Sequence, residues 1–199
     1  MVLPSAVGEA SDDWLAATRS ELAARGAAAD VLDRIAPVLP AGYDELNHPP
    51  TAALDLPIVI DLADHGGDVA SAVFKFAESG ADEWRFRVYR HGAAIPLADL
   101  LPLLDHLGMR AQDERAFVFR LDAERHVHLH DVGVVVPAGA DLADPAVAGE
   151  LCRAFEAAFR GTVEADSFNR LVLAAGLTAR QVEVVRAYAR YLRQIGFPF

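Results

Sequence analysis

Between residues 68 and 160 the hydrophobic period switches twice from two residues to about 3.6, and that switching restricts the fold more than any other feature. "EWRFRVYRHG" alternates, with Trp84, Phe86 and Val88 on one side of an extended chain and Arg85, Arg87 and Tyr89 on the other. "VASAVFKFAES" alternates before it, with Ala72, Phe74 and Phe76 on one side, and "ESGADE" reads as the hairpin loop between them. "PLADLLPLLDHLG" then places Leu97, Leu100, Leu101, Leu104 and Leu107 on one helical stripe, stopped by Gly108. "MRAQDERAFVFRL" and "RHVHLHDVGVVVP" are two further strands joined by a turn at "DAER". "DPAVAGELCRAFEAAFRG" follows as a long helix, with Asp144 as N-cap and Pro145 as its first residue. This order predicts an α+β domain, a single antiparallel sheet with helices on one face. From Glu83 onward it is most of a ferredoxin-like unit without the closing strand, and the strand at 69–77 is expected to take that edge.

Both flanks read as helical. Residues 1–10 look like a loose leader. Ser11 or Asp12 can cap a helix through "DWLAATRSELAARG", with Trp14, Leu15, Thr18 and Leu22 on one face. "AADVLDRIAPVL" places Val31, Leu32, Ile35 and Val38 at helical spacing, and Pro37 kinks or ends it. "TAALDLPIVIDLADHGG" is ambiguous: "LPIVIDL" alone suits a buried strand, while Thr51 as a cap and the length of the segment favour a helix. After the α+β region, "DSFNRLVLAAG" is a short helix capped by Asp166 or Ser167. "LTARQVEVVRAYARYLRQIG" is a long one with a Thr178/Gln181 capping box. Its apolar stripe is Val182, Val185, Ala189 and Leu192, flanked by Arg180, Glu183, Arg186 and Arg190. The expected division is a helical lead-in over 1–66, an α+β domain over 67–162 and the start of a helical domain over 163–199. The apolar ending "GFPF" suggests a piece of a longer chain.

Charge narrows the function classes. The 199 residues carry a net charge of −11, which disfavours partnership with nucleic acid or an anionic membrane. No apolar run approaches the roughly 18 residues that span a bilayer. The N-terminus lacks the basic start of a signal peptide, and the lone Cys152 sits on an apolar helical pattern as a buried, inert thiol. A reducing, cytoplasmic setting is expected.

Chemistry-bearing patterns are sparse. His126, His128 and His130 share one side of a strand, with Val127 and Leu129, then Val132, expected to face the core. At a rise of about 3.3 Å the outer pair of Cα atoms stand about 13 Å apart, so one straight strand cannot bring all three imidazoles to one zinc ion. A polar sheet face is expected there, with no metal. Arg85, Arg87 and Arg90 can hold a carboxylate ligand, but a solvated face is the expectation. Asp113 and Glu114 are expected to be two solvated charges. No G-x-G-x-x-G and no G-x-S-x-G occurs, so neither a dinucleotide fingerprint nor a nucleophile elbow is present.

Several long stretches resemble the large bacterial NAD-specific glutamate dehydrogenases. They are "WRFRVYRHGAAIPLADLLPLLDHLGMRAQDERAF" from Trp84 to Phe117, "HDVG" from His130 to Gly133, "FNRLVLAAGL" and "VRAYARYLRQIG". The resemblance covers about Asp82 to Phe199, and residues 11–80 fit it only loosely. It implies an ACT-type ferredoxin-like module from the region preceding the catalytic domain. The segment would then be regulatory or architectural, with no catalytic or cofactor-binding residue of its own. The parent enzyme would convert L-glutamate, NAD+ and water to 2-oxoglutarate, ammonium and NADH. In such modules a small amino acid binds at the turn from the first strand into the first helix, which here is Arg90, His91, Gly92, Ala93 and Ala94. The implied partners are the remainder of the parent chain, other subunits of a homo-oligomer and an amino-acid effector. The competing reading is a free-standing metal- or small-ligand-binding protein built on the histidine strand 126–130.

Overall fold

The computed structural model describes residues 11–75, 80 and 83–197. The expected leader, Phe76, most of the "ESGADE" loop and the last two residues lie outside them. Among the described residues, helices α1 (Asp12–Ala24), α2 (Val31–Ile35), α3 (Tyr43–Leu46) and α4 (Pro49–His65) come first. They are followed by β1 (Val69–Phe74), β2 (Glu83–His91), α5 (Leu97–His106), β3 (Arg110–Arg120) and β4 (His126–Val135), then α6 (Pro145–Phe159), α7 (Leu171–Ala175) and α8 (Ala179–Gln194). The antiparallel sheet has the order β1-β2-β4-β3. β1 takes the edge that the closing strand of a ferredoxin-like unit would occupy, so the strand before the unit completes the sheet.

Two compact units divide the chain: Met1–Ala70, Val88–Ala94 and Arg115–His130 form one, and Ser71–Arg87, Ile95–Glu114 and Asp131–Phe199 the other. In the first unit, Ser11 caps α1 by accepting from the Trp14 N–H at 3.2 Å, and Trp14, Thr18 and Leu22 are buried. The ambiguous segment is the helix α4, which runs through Pro57. One backbone donor is missing there, and burial of Ala52, Ala53, Leu56, Val59, Ile60 and Leu62 outweighs that loss. The α3 ring Tyr43 is fully buried and meets Phe117 and Phe119 edge-on, each at 5.3 Å between centroids. Asp55 of α4, also fully buried, accepts from the Tyr43 hydroxyl at 2.6 Å and from the Tyr89 hydroxyl. The lead-in helices are therefore fastened to residues of β2 and β3.

In the second unit, Phe86 of β2 meets Phe155 of α6 at 5.0 Å between centroids. Leu100, Leu104 and Leu107 are buried, while Leu97 and Leu101 of the expected stripe are exposed, so the packed face of α5 is narrower than its leucine content. "DSFNRLVLAAG" starts with a 3-10 turn, Ser167–Arg170, capped by Asp166, and continues as α7. The Thr178/Gln181 capping box of α8 is present. Its buried face holds Val182 and Arg186, and Val185 is exposed. Arg186, expected at the flank, instead donates to Asp166 at 2.9 and 3.0 Å and to Asn169 Oδ1 at 2.6 Å. Burial pushes the Cys152 thiol up to about 11, which keeps it protonated and inert.

Candidate functional site

The turn singled out in the sequence is held from two sides. Gly92 has φ +83°, a conformation that favours glycine, and a Cβ there would have no atom within 4 Å. The glycine is therefore fixed by backbone conformation and not by crowding. Its N–H donates to the His126 carbonyl at 2.8 Å, and its own carbonyl is bonded by the His128 imidazole. The His91 N–H donates to the Asp68 carbonyl at 3.3 Å. Arg90 donates to the same carbonyl at 2.6 Å and pairs with the Asp68 carboxylate. Ala93 and Ala94 are exposed, and among the described residues no backbone carbonyl takes their N–H groups.

The histidine row borders this turn, but it is not the evenly wet face expected. His126 is half-buried, with Nε2 3.0 Å from the Asp122 carbonyl. His128 is also half-buried; burial holds its pKa below the ordinary value, and the neighbouring His130, His126 and Arg120 add to this. His130 is buried, and Val132 beyond it is buried on the same side. Covering continues along β4, so the period-two pattern gives each side chain's direction without its exposure. Among the described residues no group of three His, Cys, Asp or Glu is placed to hold a metal ion.

The larger departure is at β2. Arg85 and Arg87 are 7% and 0% exposed, which overturns the solvated face expected for them. They do hold a carboxylate, and it is the protein's own Asp131, itself 1% exposed. Arg85 Nε donates to Asp131 Oδ1 at 2.9 Å, Arg85 Nη2 to the Asp131 carbonyl at 2.6 Å and Arg87 Nη2 to Asp131 Oδ2 at 3.2 Å. Arg85 Nη1 reaches Asp113 at 2.6 Å, so Asp113 is a paired charge and not merely a solvated one. Burial works against the guanidinium charge, but these carboxylates outweigh it and hold the Arg85 pKa above its ordinary value. Gly133 lies directly beneath the Arg85–Asp113 pair, in the space that a side chain there would fill. The sequence signal was "HDVG" itself, an acid and a glycine inside a strand.

Comparison with known proteins places these elements. Residues 68–147 match the family model described as glutamate dehydrogenase, ACT3 domain, and residues 163–199 match glutamate dehydrogenase, helical motif 3. The chain carries the ACT3 domain and helical motif 3 of the glutamate dehydrogenase family. It is similar to the NAD-specific glutamate dehydrogenase of Halomonas elongata, with 31% identity over 84% of this chain. It is also similar to those of Pseudomonas aeruginosa, with 35% over 80%, and Mycobacterium tuberculosis, with 34% over 79%. The chain spans about 10% of the length of each of these relatives. The ACT3 match contains all four strands and α5, hence the turn Arg90–Ala94 and the Arg85–Asp131 cluster. The helical motif contains α7 and α8. Among the described residues the antiparallel sheet supplies no parallel strand leading through a Gly-rich loop into a helix, the arrangement of a dinucleotide-binding fold. No described helix is long and apolar enough to cross a membrane.

Proposed function

We propose that these residues are a non-catalytic regulatory and assembly segment of a longer, cytoplasmic NAD-dependent glutamate dehydrogenase. The parent chain would oxidise L-glutamate with NAD+ and water to 2-oxoglutarate, ammonium and NADH, using a cofactor site outside these residues. The observation that carries this reading is the ACT3 match in a chain that spans a tenth of its NAD-specific relatives. The turn Arg90–Ala94 is the effector site. It offers two exposed alanine N–H groups on a backbone locked by Asp68, His126 and His128, so a small amino-acid carboxylate binds without first ordering the loop. The assembly role is supported by α8 and its C-cap, which leave Val184, Tyr188, Tyr191 and the C-cap Ile195 exposed at i, i+4, i+7 and i+11, one apolar line. The partners are the remainder of the parent chain and the other subunits of a homo-oligomer.

Calorimetric titration of the 199-residue chain with the twenty common amino acids tests the effector site. Saturable heat from one or a few of them, abolished by Ala93→Trp with the circular dichroism unchanged, is the expected result. Silence across the whole set would leave the module as architecture alone.

A further inference from the structure

Arg85 is on β2 and Asp113 on β3, and β4 runs between those strands. The pair must therefore bridge two strand spacings, each about 4.8 Å. It does so across Gly133: a Cβ at that position would stand 2.5 Å from Asp113 Oδ2 and 2.8 Å from Arg85 Nη1. The bare backbone of β4 is thus the floor on which a guanidinium and a carboxylate lie.

The two carboxylates on Arg85 differ in kind. Asp131 is 1% exposed and holds Arg85 through both a side-chain and a backbone oxygen. Asp113 comes from an edge strand, is 55% exposed and contributes one contact, at 2.6 Å to Nη1. A cavity of about 250 Å³ opens at this contact, with Glu83 also at its wall. Swapping one carboxylate for another on Nη1 preserves the hydrogen bond and leaves the buried Arg85–Asp131 pair undisturbed.

We propose that this cavity is a binding site for a small ammonium–carboxylate zwitterion, whose carboxylate replaces Asp113 on Arg85. Asp113 is then a tethered occupant that any free ligand must displace. The preference for a zwitterion follows from the remaining charges. Glu83 lies two residues before Arg85 on the same side of β2, about 7 Å along the strand. The released Asp113 adds a second anion. Together they attract an ammonium and repel a dianion, and the chain's net charge of −11 acts in the same sense. A tethered carboxylate competes at an effective concentration of order millimolar or higher, so a free ligand binds weakly while Asp113 is in place.

The site shares no residue with the turn Arg90–Ala94 and stands whether or not that turn binds anything. L-Alanine titrated into the full chain and followed by amide NMR shifts is the test. Asp113→Asn, a change at an exposed side chain, should tighten L-alanine binding by about tenfold over wild type by removing the tethered competitor. Propionate, which lacks the ammonium, should bind wild type, where the released Asp113 keeps its charge, at least tenfold more weakly than L-alanine does. Gly133→Ala should abolish binding, and Ala93→Trp should leave it unchanged, which separates this site from the turn. L-Alanine binding to the Asp113→Asn chain no tighter than to wild type would overturn the site. Equal affinity for propionate would overturn the zwitterion.

Discussion

Gly133 keeps its place because two charged side chains need the space above it. Adding one methyl group there would force the Arg85–Asp113 pair off the floor of β4, since the new carbon would stand 2.5 and 2.8 Å from their atoms. Gly133→Ala is expected to destabilise the chain by about 1–3 kcal/mol, the usual range for overpacking. Urea denaturation measures it, and a loss under about 0.5 kcal/mol would mean that the pair moves aside freely. The sequence pointed to the components of this cluster but not to their assembly. Arg85 and Arg87 alternate with Trp84, Phe86 and Val88, and a period of two shows only that they point the other way. Whether that side is covered depends on Asp131, 46 residues further on, which no local pattern connects to Arg85.

The elements were more legible than the residues that fasten them. Caps and stops at Ser11, Asp144 and Thr178 act within four residues, so the helix starts they mark could be read directly. The strand order was partly legible too, because an incomplete ferredoxin-like unit leaves one edge for the strand that precedes it. What remained hidden was the attachment of α3 and α4. It runs through Asp55, whose carboxyl takes the hydroxyls of Tyr43, 12 residues away, and Tyr89, 34 residues away. An aspartate inside "TAALDLPIVIDL" reads as the polar side of a helix, yet it is fully buried. Tyr43→Phe removes one of those hydrogen bonds and keeps the ring packed on Phe117 and Phe119. It should cost about 1–3 kcal/mol, the range for a buried hydrogen bond to an acidic group. A midpoint shift in chemical denaturation with an unchanged slope is the expected signature. A midpoint that does not move would show that Asp55 fastens α3 by packing alone.

Across the whole molecule, two classes of titration set how stability responds to acid, and they separate by pH. Burial and the adjacent His130, His126 and Arg120 hold the native pKa of His128 below its unfolded value near 6.5, against the opposing bond to the Gly92 carbonyl. As pH falls through about 6.5, the unfolded chain takes up a proton that the native chain refuses, so stability drops. Carboxylates act lower. The Arg34 guanidinium holds Asp64 below the usual carboxylate range, and the Arg125 and Glu124 N–H groups hold Asp122 at about 2. Burial of Asp166 works in the opposite direction, yet its bond to Arg186 prevails and lowers its pKa. Stability from these groups is complete above the unfolded carboxylate values near 4 and is lost as pH falls through their native ones. The melting temperature should therefore decline in two stages, one beginning near pH 6.5 and a second below about pH 4. His128→Asn removes the first stage and spares the second. Scans of both chains at pH 7.5, 6.0, 5.0 and 3.5 decide the matter: wild type should lose more than the variant between 7.5 and 5.0, with parallel losses below 4. Parallel curves over the upper range would mean that His128 carries no share of the fold's response to acid.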